Sequence, residues 1–466
     1  MNLKGQLRDE LSSAEFGDQR LTRRLCTLAE TMLVAPDKSF PMASGEDAAL
    51  EGTYRFLNNK SVTPKQILAP HFRATAVRCS ATTTVLVAHD TTEFNFGVFE
   101  RDGLGRVAQG KSYGFFGHLS LALTPTTRQP LGVLALQTFF RHGPKRKRAE
   151  RRKLQGDPAN EATRWLTAIV ETEERLKGSA NAIHVMDRES DNYLLLAELV
   201  QRGHRFVARM KYNRVLEDSD APTVRAAIAG APVMAEREVP LTRRRKGDTP
   251  AERKRYPQRK SRIAKLQFTA EEIRLPRSQS SKSSPLENLA LHLVRVQEVE
   301  APEGEEPVEW LLWTTEPIDS AEQILAVVDA YRGRWVIEEY FKSLKTGCAY
   351  EERQLESAPA LLNALAVLVP VAWRLLLLRS LARGEPSAPA QTVLTKVQII
   401  CLRGAMKRIH KRELPARLTA LDAMLAVAKL GMHLGKGPPG WIVLGRGMDK
   451  LLTIELGYYI TTEDIQ

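Results

Sequence analysis

From residue 81 the chain takes up a strand pattern that leaves few folds open. TTTVLVAHDTTEFNF, KSYGFFGHLSLALTP and QPLGVLALQTFF are β-branched, apolar runs separated by Thr, Pro and Gln turn residues, as expected of buried strands. NEATRWLTAIVETEERLK then spaces its apolar residues as an amphipathic helix, NAIHVMDRES as a short strand, DNYLLLAELVQRG as a helix and HRFVARMK as another strand. Three strands followed by helix–strand–helix–strand predict a mixed α/β domain. The segment from about 212 to 317 interrupts that order with SQSSKSSP and the alternating runs ALHLVRVQEVE and VEWLLWTTEP, and reads as a mostly β insertion. Residues 1–66 read as helical and polar, with Ser61-Val-Thr-Pro64 as a helix entry. Helices resume in AEQILAVVDAYRGRWVIEEYFKSLKTG and SAPALLNALAVLVPVAWRLLLLRSLAR, before a linker-like GEPSAPAQ at 384–391. The expected organisation is a helical domain over 1–66, an α/β domain over 67–384 carrying the insertion, and a helical domain over 385–466.

Composition narrows the function classes. With 43% hydrophobic and 26% charged residues, the chain matches soluble globular proteins. No apolar run approaches the ~20 residues of a membrane span, and MNLKGQLRDELSSAEF lacks a signal-peptide core. Cys26, Cys79, Cys348 and Cys401 are scattered, against a zinc site or a disulfide framework and in keeping with a reducing cytoplasm. The net charge of +13 is concentrated: residues 141–153 carry +7 and residues 242–265 carry +9, which leaves −3 on the rest. Two basic segments on a near-neutral body point to a polyanion gripped at particular places, or else to solvated loops.

Chemistry gathers around three acids. Asp90 follows VLVAH and Asp187 follows AIHVM, so two apolar strands deliver carboxylates to one sheet edge, where open α/β proteins place ligands. Either alone could equally be a turn or helix-cap residue. In YRGRWVIEEYFKSLK, Tyr331, Arg334, Glu338, Lys342 and Lys345 fall at i, i+3, i+7, i+11 and i+14, one face of a helix. The plain reading is a solvated face with Glu338–Lys342 pairing. The same face also holds a carboxylate for a divalent cation beside groups that grip phosphate, the inventory of phosphodiester chemistry.

These segments resemble the DDE transposases of the bacterial insertion-sequence-four family. Tyr331, Arg334, Glu338 and Lys345 match its Y-(2)-R-(3)-E-(6)-K signature; HDTTEF resembles the first-aspartate strand, and VMDRESD the second, with Arg188, Glu189 and Asp191 following. FGDQRLTRRL, EGTYRFLNN and KLGMHLGKGPPGW extend the likeness toward both ends. The resemblance implies a ribonuclease-H-like core with an inserted β domain, in which Asp90, Asp187 and Glu338 bind two Mg2+ or Mn2+ ions. It implies hydrolysis at transposon ends, a hairpin intermediate and strand transfer to target DNA by a homodimer joined largely through the C-terminal region. Tyr331, Arg334, Lys345 and, less directly, Lys342 would hold phosphates near the break.

Further DNA contacts are expected from Arg20, Arg23 and Arg24, which share a helical face, and from Arg55, Arg188, Arg209 and Lys211. Arg243, Arg244, Arg245 and Lys246 of the second basic run join them. Trp310 lies 21 residues before Tyr331, as does a family Trp that stacks on a flipped base; packing in a β core is the plainer alternative. Two other functions compete: a ribonuclease-H-like nuclease or resolvase without strand transfer, and a catalytically silent DNA-binding inhibitor.

Overall fold

The computed structural model describes residues 3–141, 161, 163–217, 220–245, 250, 253, 257–277, 281, 283–384, 386–435 and 439–463. Its centre is a mixed sheet. β1 (Thr84–Asn95), β3 (Ser112–Leu123) and β4 (Pro130–Phe139) form an antiparallel meander, with the short β2 (Gly105–Val107) on the end of β3. β5 (Asn181–Met186) and β6 (Arg205–Arg209) then add parallel strands beside β1. Every residue of β3 is buried, which explains its unbroken apolar run: both faces of the sheet are covered.

The structure revises the reading of the insertion. β10 (Glu309–Thr314) pairs antiparallel with β6, and β9 (Asn288–Val299), β8 (Arg262–Pro276) and β7 (Val233–Leu241) follow edge to edge. The inserted strands therefore prolong the core sheet to ten strands and do not stand apart as a separate layer. Alternate residues of β8 and β9 are buried, on one face in one half of each strand and on the other face in the other half, whereas the end of β10 is buried on both faces.

Helices clothe the sheet. On one face lie α6 (Thr163–Leu176), α7 (Tyr193–Gln201) and the short α8 (Val224–Ala229), packed around Trp165, Phe206 and Trp313. On the other face α9 (Ala321–Gly333) runs beneath β1, β5, β6, β7, β8 and β9, and Arg237 of β7 is salt-bridged to Asp329 of α9 at 2.9 Å. The expected single helix over 321–347 is interrupted: α9 ends at Gly333, Arg334 makes a turn, and α10 (Trp335–Lys342) passes into a π-helical turn over Ser343–Gly347.

The N-terminal region has four helices, α1 (Leu3–Leu11), α2 (Gln19–Val34), α3 (Phe40–Ser44) and α4 (Asp47–Leu57). α5 (Pro64–Cys79) starts where the sequence suggests, with Thr63 and Gln66 closing a capping box and Pro64 at the first helical position. α11 (Ala358–Gly384) is the axle of the molecule. Its segment Ala358–Leu381 is long and apolar enough to cross a membrane, but 94% of its most apolar window is buried inside the fold. Its polar residues face partners: Asn363 donates to the carbonyls of Leu57 and Val62, and the Trp373 indole donates to Pro130. Val369 and Ala372 accept bonds from Tyr340 and Ser343, which fastens α10 to this axle. The last helices are α12 (Lys396–His410), α13 (Ala420–Leu430) and α14 (Trp441–Glu463). α13 and α14 cross closely at two glycines; a Cβ on Gly447 would lie 1.9 Å from the Val427 carbonyl oxygen.

Candidate active site

Strand register brings the first two acids together. Ala88 of β1 is the parallel partner of Val185 of β5, so Asp90 and Asp187, each two residues further on, lie level on the same face of the sheet. Asp187 caps the short turn Arg188–Ser190, its Oδ1 accepting the Glu189 N–H at 2.8 Å. Asp90 accepts the N–H of Thr91 at 2.8 Å. Glu338 arrives from α10 on the same side.

Arg334 ties the strand to the helix. Its Nη1 donates to Asp90 at 2.8 Å and its Nη2 to Glu338 at 2.7 Å, with only 13% of its side chain exposed. Burial raises the Asp90 carboxyl to about 6 against the pull of Arg334, and Asp187 and Glu338 add to the rise through space. Burial also opposes the charge on Arg334, but Asp90, Tyr331 and Glu338 outweigh it and hold the guanidinium above its ordinary pKa. The site is thus rich in carboxylate, with one internal cation offsetting it. Hard carboxylate oxygens suit Mg2+ or Mn2+, so the donor set fits the expected ions. Among the described residues, however, no three His, Cys, Asp or Glu side chains are closed up around a common point. Arg334 spans the acids instead.

The other residues of the signature helix divide. Lys345 reaches back to the Glu93 carbonyl and to Glu351 at 3.2 Å, beside β1. Lys342 turns away: it pairs with Glu339 at 3.0 Å, not with Glu338 as the spacing suggests, and stands half exposed. The reason is that Arg334 already engages Glu338 one turn earlier. Tyr331 is buried under Trp310, their rings edge to face at 5.3 Å, with the Arg209 guanidinium 5.7 Å from the indole centroid. Trp310 is half-buried and packs on the face shared with the acids, whereas Trp313 is fully buried in the opposite core.

The expected DNA-contact residues are spread over several surfaces. Arg20 pairs with its neighbour Asp18 and Arg55 with Glu51, both largely exposed. Arg23 is exposed, while the Arg24 guanidinium packs over Gly52. Arg188 and Lys211 are exposed close to the acids' edge of the sheet, and Arg209 is half-buried with its Nη2 on the Glu309 carbonyl. Arg243 and Arg245 are exposed, and Arg244 exchanges backbone hydrogen bonds with Arg259. Lys246 and residues 142–153 of the first basic run lie outside the described residues. Sequence reasoning missed Arg164, whose guanidinium touches the residue after Asp90 on β1 and the turn after Asp187; only the folded chain brings its partners, 73 and 25 residues away, within reach.

Residues 4–62 match the family described as transposase DNA-binding, and residues 157–369 match the transposase DDE domain. Asp187 and Glu338 fall inside the second match and Asp90 precedes it. Among solved structures, a chain of the piggyBac transposase synaptic complex with hairpin DNA is similar at 10% identity and a TM-score of 0.37, over 81% of this chain and 73% of that one.

Proposed function

The chain has the domain architecture of a DDE transposase, a DNA-binding domain followed by a DDE domain, and from that premise we propose that it is a cut-and-paste transposase of the insertion-sequence-four type. The observation that carries the reading is the convergence of Asp90, Asp187 and Glu338 on one edge of a ribonuclease-H-like sheet, with Arg334 of the signature helix between two of them. These acids would hold two Mg2+ or Mn2+ ions, which when bound activate the attacking hydroxyl and neutralise the leaving oxygen.

The remaining groups have their own tasks. Arg334, released from Asp90 and Glu338, carries a planar fork suited to a phosphate. Lys345, anchored beside β1, supplies a second cation, and the Tyr331 hydroxyl a hydrogen-bond donor. The N-terminal helices would bind the terminal repeats, and the helices beyond 385 would join two copies so that both ends are cut together. A free 3′-OH made by hydrolysis would attack the opposite strand as a hairpin, be freed again by water, and then displace a 3′ oxygen in target DNA.

The test uses an end-labelled duplex carrying the element's terminal repeat. The expected result is Mg2+-dependent nicking, a hairpin species and joining of the labelled 3′ end to a target plasmid. Nicking without joining would favour a nuclease, and specific binding without nicking a silent inhibitor.

A further inference from the structure

Arg164 is the second residue of α6, and all three of its guanidinium nitrogens have partners. Nε donates to Thr91 Oγ1 at 3.1 Å, Nη2 to Glu189 Oε2 at 2.9 Å, and Nη1 to the Glu161 carbonyl. Its side chain is only 13% exposed, and its head lies 5.3 Å from the Phe139 ring centroid and 5.8 Å from that of Trp165. Two of its partners adjoin the aspartates, Thr91 within β1 and Glu189 in the turn after β5. Thr91 is the residue whose N–H binds the Asp90 carboxylate, and Glu189 is the residue whose N–H binds the Asp187 carboxylate, each at 2.8 Å. One rigid fork thus joins β1 to the turn after β5 from the side of the sheet away from Glu338.

Thr91 Oγ1 stands at the centre of this arrangement: it accepts from Arg164 and is hydrogen-bonded to His118 Nδ1, 2.9 Å away on β3. His118 is fully buried, and burial holds it neutral. The contacts His118–Thr91–Arg164–Glu189 therefore run unbroken from the middle of the sheet to the Asp187 turn. None of these groups need touch a metal or DNA.

We infer that Arg164 is a positioning residue, which sets the separation of Asp90 and Asp187 for divalent-cation binding by clamping Thr91 to Glu189. The inference rests on the proposed function, because it takes the two aspartates as the cation ligands. Groups that orient ligands in this way commonly govern metal affinity or activity by about 10–100-fold, and a flexible ammonium cannot reproduce a planar three-partner fork.

The full-length chain is tested as Arg164→Gln, Arg164→Lys and Glu189→Gln. Mn2+ binding is followed by electron paramagnetic resonance with and without end duplex, beside metal-free melting and duplex binding as reports on the fold. Arg164→Gln should weaken Mn2+ binding about 10–100-fold while melting and duplex binding stay near wild type. Arg164→Lys should fall between the two. Glu189→Gln should weaken it less, and should add little when combined with Arg164→Gln. A folded Arg164→Gln chain with wild-type Mn2+ affinity overturns the inference. Should that variant fail to fold, Glu189→Gln decides, since its side chain is 58% exposed and the fold does not depend on it; unchanged affinity there overturns the inference equally. Wild-type Mn2+ binding and cleavage by Asp90→Ala would instead bring down the functional reading itself.

Discussion

At the residue scale, the arrangement around Arg334 sets two demands on one side chain. While it bonds Asp90 and Glu338, it supplies the positive charge that those carboxylates need; a bound cation supplies the same charge and makes the guanidinium redundant there. Arg334→Gln should therefore bind Mn2+ more tightly than wild type in the absence of DNA, because one competitor for the acids is gone. The same variant should cleave end duplex more slowly, by tenfold or more if the freed guanidinium makes a charge-assisted phosphate bond worth roughly 1.5–3 kcal/mol. Opposite signs in the two measurements are what a shared cation requires. A variant that binds Mn2+ more weakly and cleaves normally would show Arg334 to be a structural strut. Asp90 and Asp187 are legible in the sequence because each follows an apolar run, a local signal, although only Asp187 ends its strand: β1 continues past Asp90 to Asn95. Arg334 was legible as part of a spacing, but its contact with Asp90, 244 residues away, was not, and neither was the clamp at Arg164.

At the scale of elements, the strands and helices of the core follow from local periodicity, and the differences arise where pairing is long-range. VEWLLWTTEP reads as an alternating strand, but nothing within it says that its partner is HRFVARMK, more than 100 residues earlier. That pairing turns a separate insertion into a continuation of the core sheet. The break at Arg334 likewise has no local breaker beyond Gly333, whose lack of a side chain lets the helix approach Leu86 of β1. Alternation does decide the two indoles of β10. Trp313, fully buried, should cost about 3–5 kcal/mol as Trp313→Ala, while Trp313→Phe should be far milder because its indole N–H has no partner among the described residues. Trp310→Ala should leave melting and the first nick nearly unchanged and slow hairpin formation, base stacking on an aromatic being worth roughly 1–3 kcal/mol. Equal melting losses for Trp310→Ala and Trp313→Ala, with hairpin formation at the wild-type rate, would make Trp310 a packing residue.

At the scale of the whole molecule, a single buried carboxylate fastens the first helix to the rest. Glu10 of α1 accepts from Arg78 of α5 at 2.9 Å and lies 3.8 Å from Arg374 of α11, with 4% of its side chain exposed. It also accepts from His71 Nδ1, whose ring takes the Val133 N–H on Nε2 at 3.1 Å. With Nε2 accepting, Nδ1 carries the proton, so His71 is the neutral tautomer that its complete burial favours. Burial alone would raise the Glu10 carboxyl, but His71 and then Arg78 outweigh it and bring it down to about 2. A carboxyl depressed on folding contributes stability that is fully present above its ordinary value of 4.5 and is lost as pH falls toward about 2. Acid should therefore loosen the N-terminal helices from α5 and α11 within that window. Glu10→Gln keeps the shape but leaves two arginines without their counter-ion, at a cost of about 3–5 kcal/mol near neutral pH. In limited proteolysis at neutral pH it should release the segment before Pro64 much faster than wild type, and its own stability should change less between pH 4.5 and 2. If Glu10→Gln resists the protease as wild type does and loses as much stability in acid, the N-terminal region is held by its apolar contacts alone and the buried carboxylate is incidental.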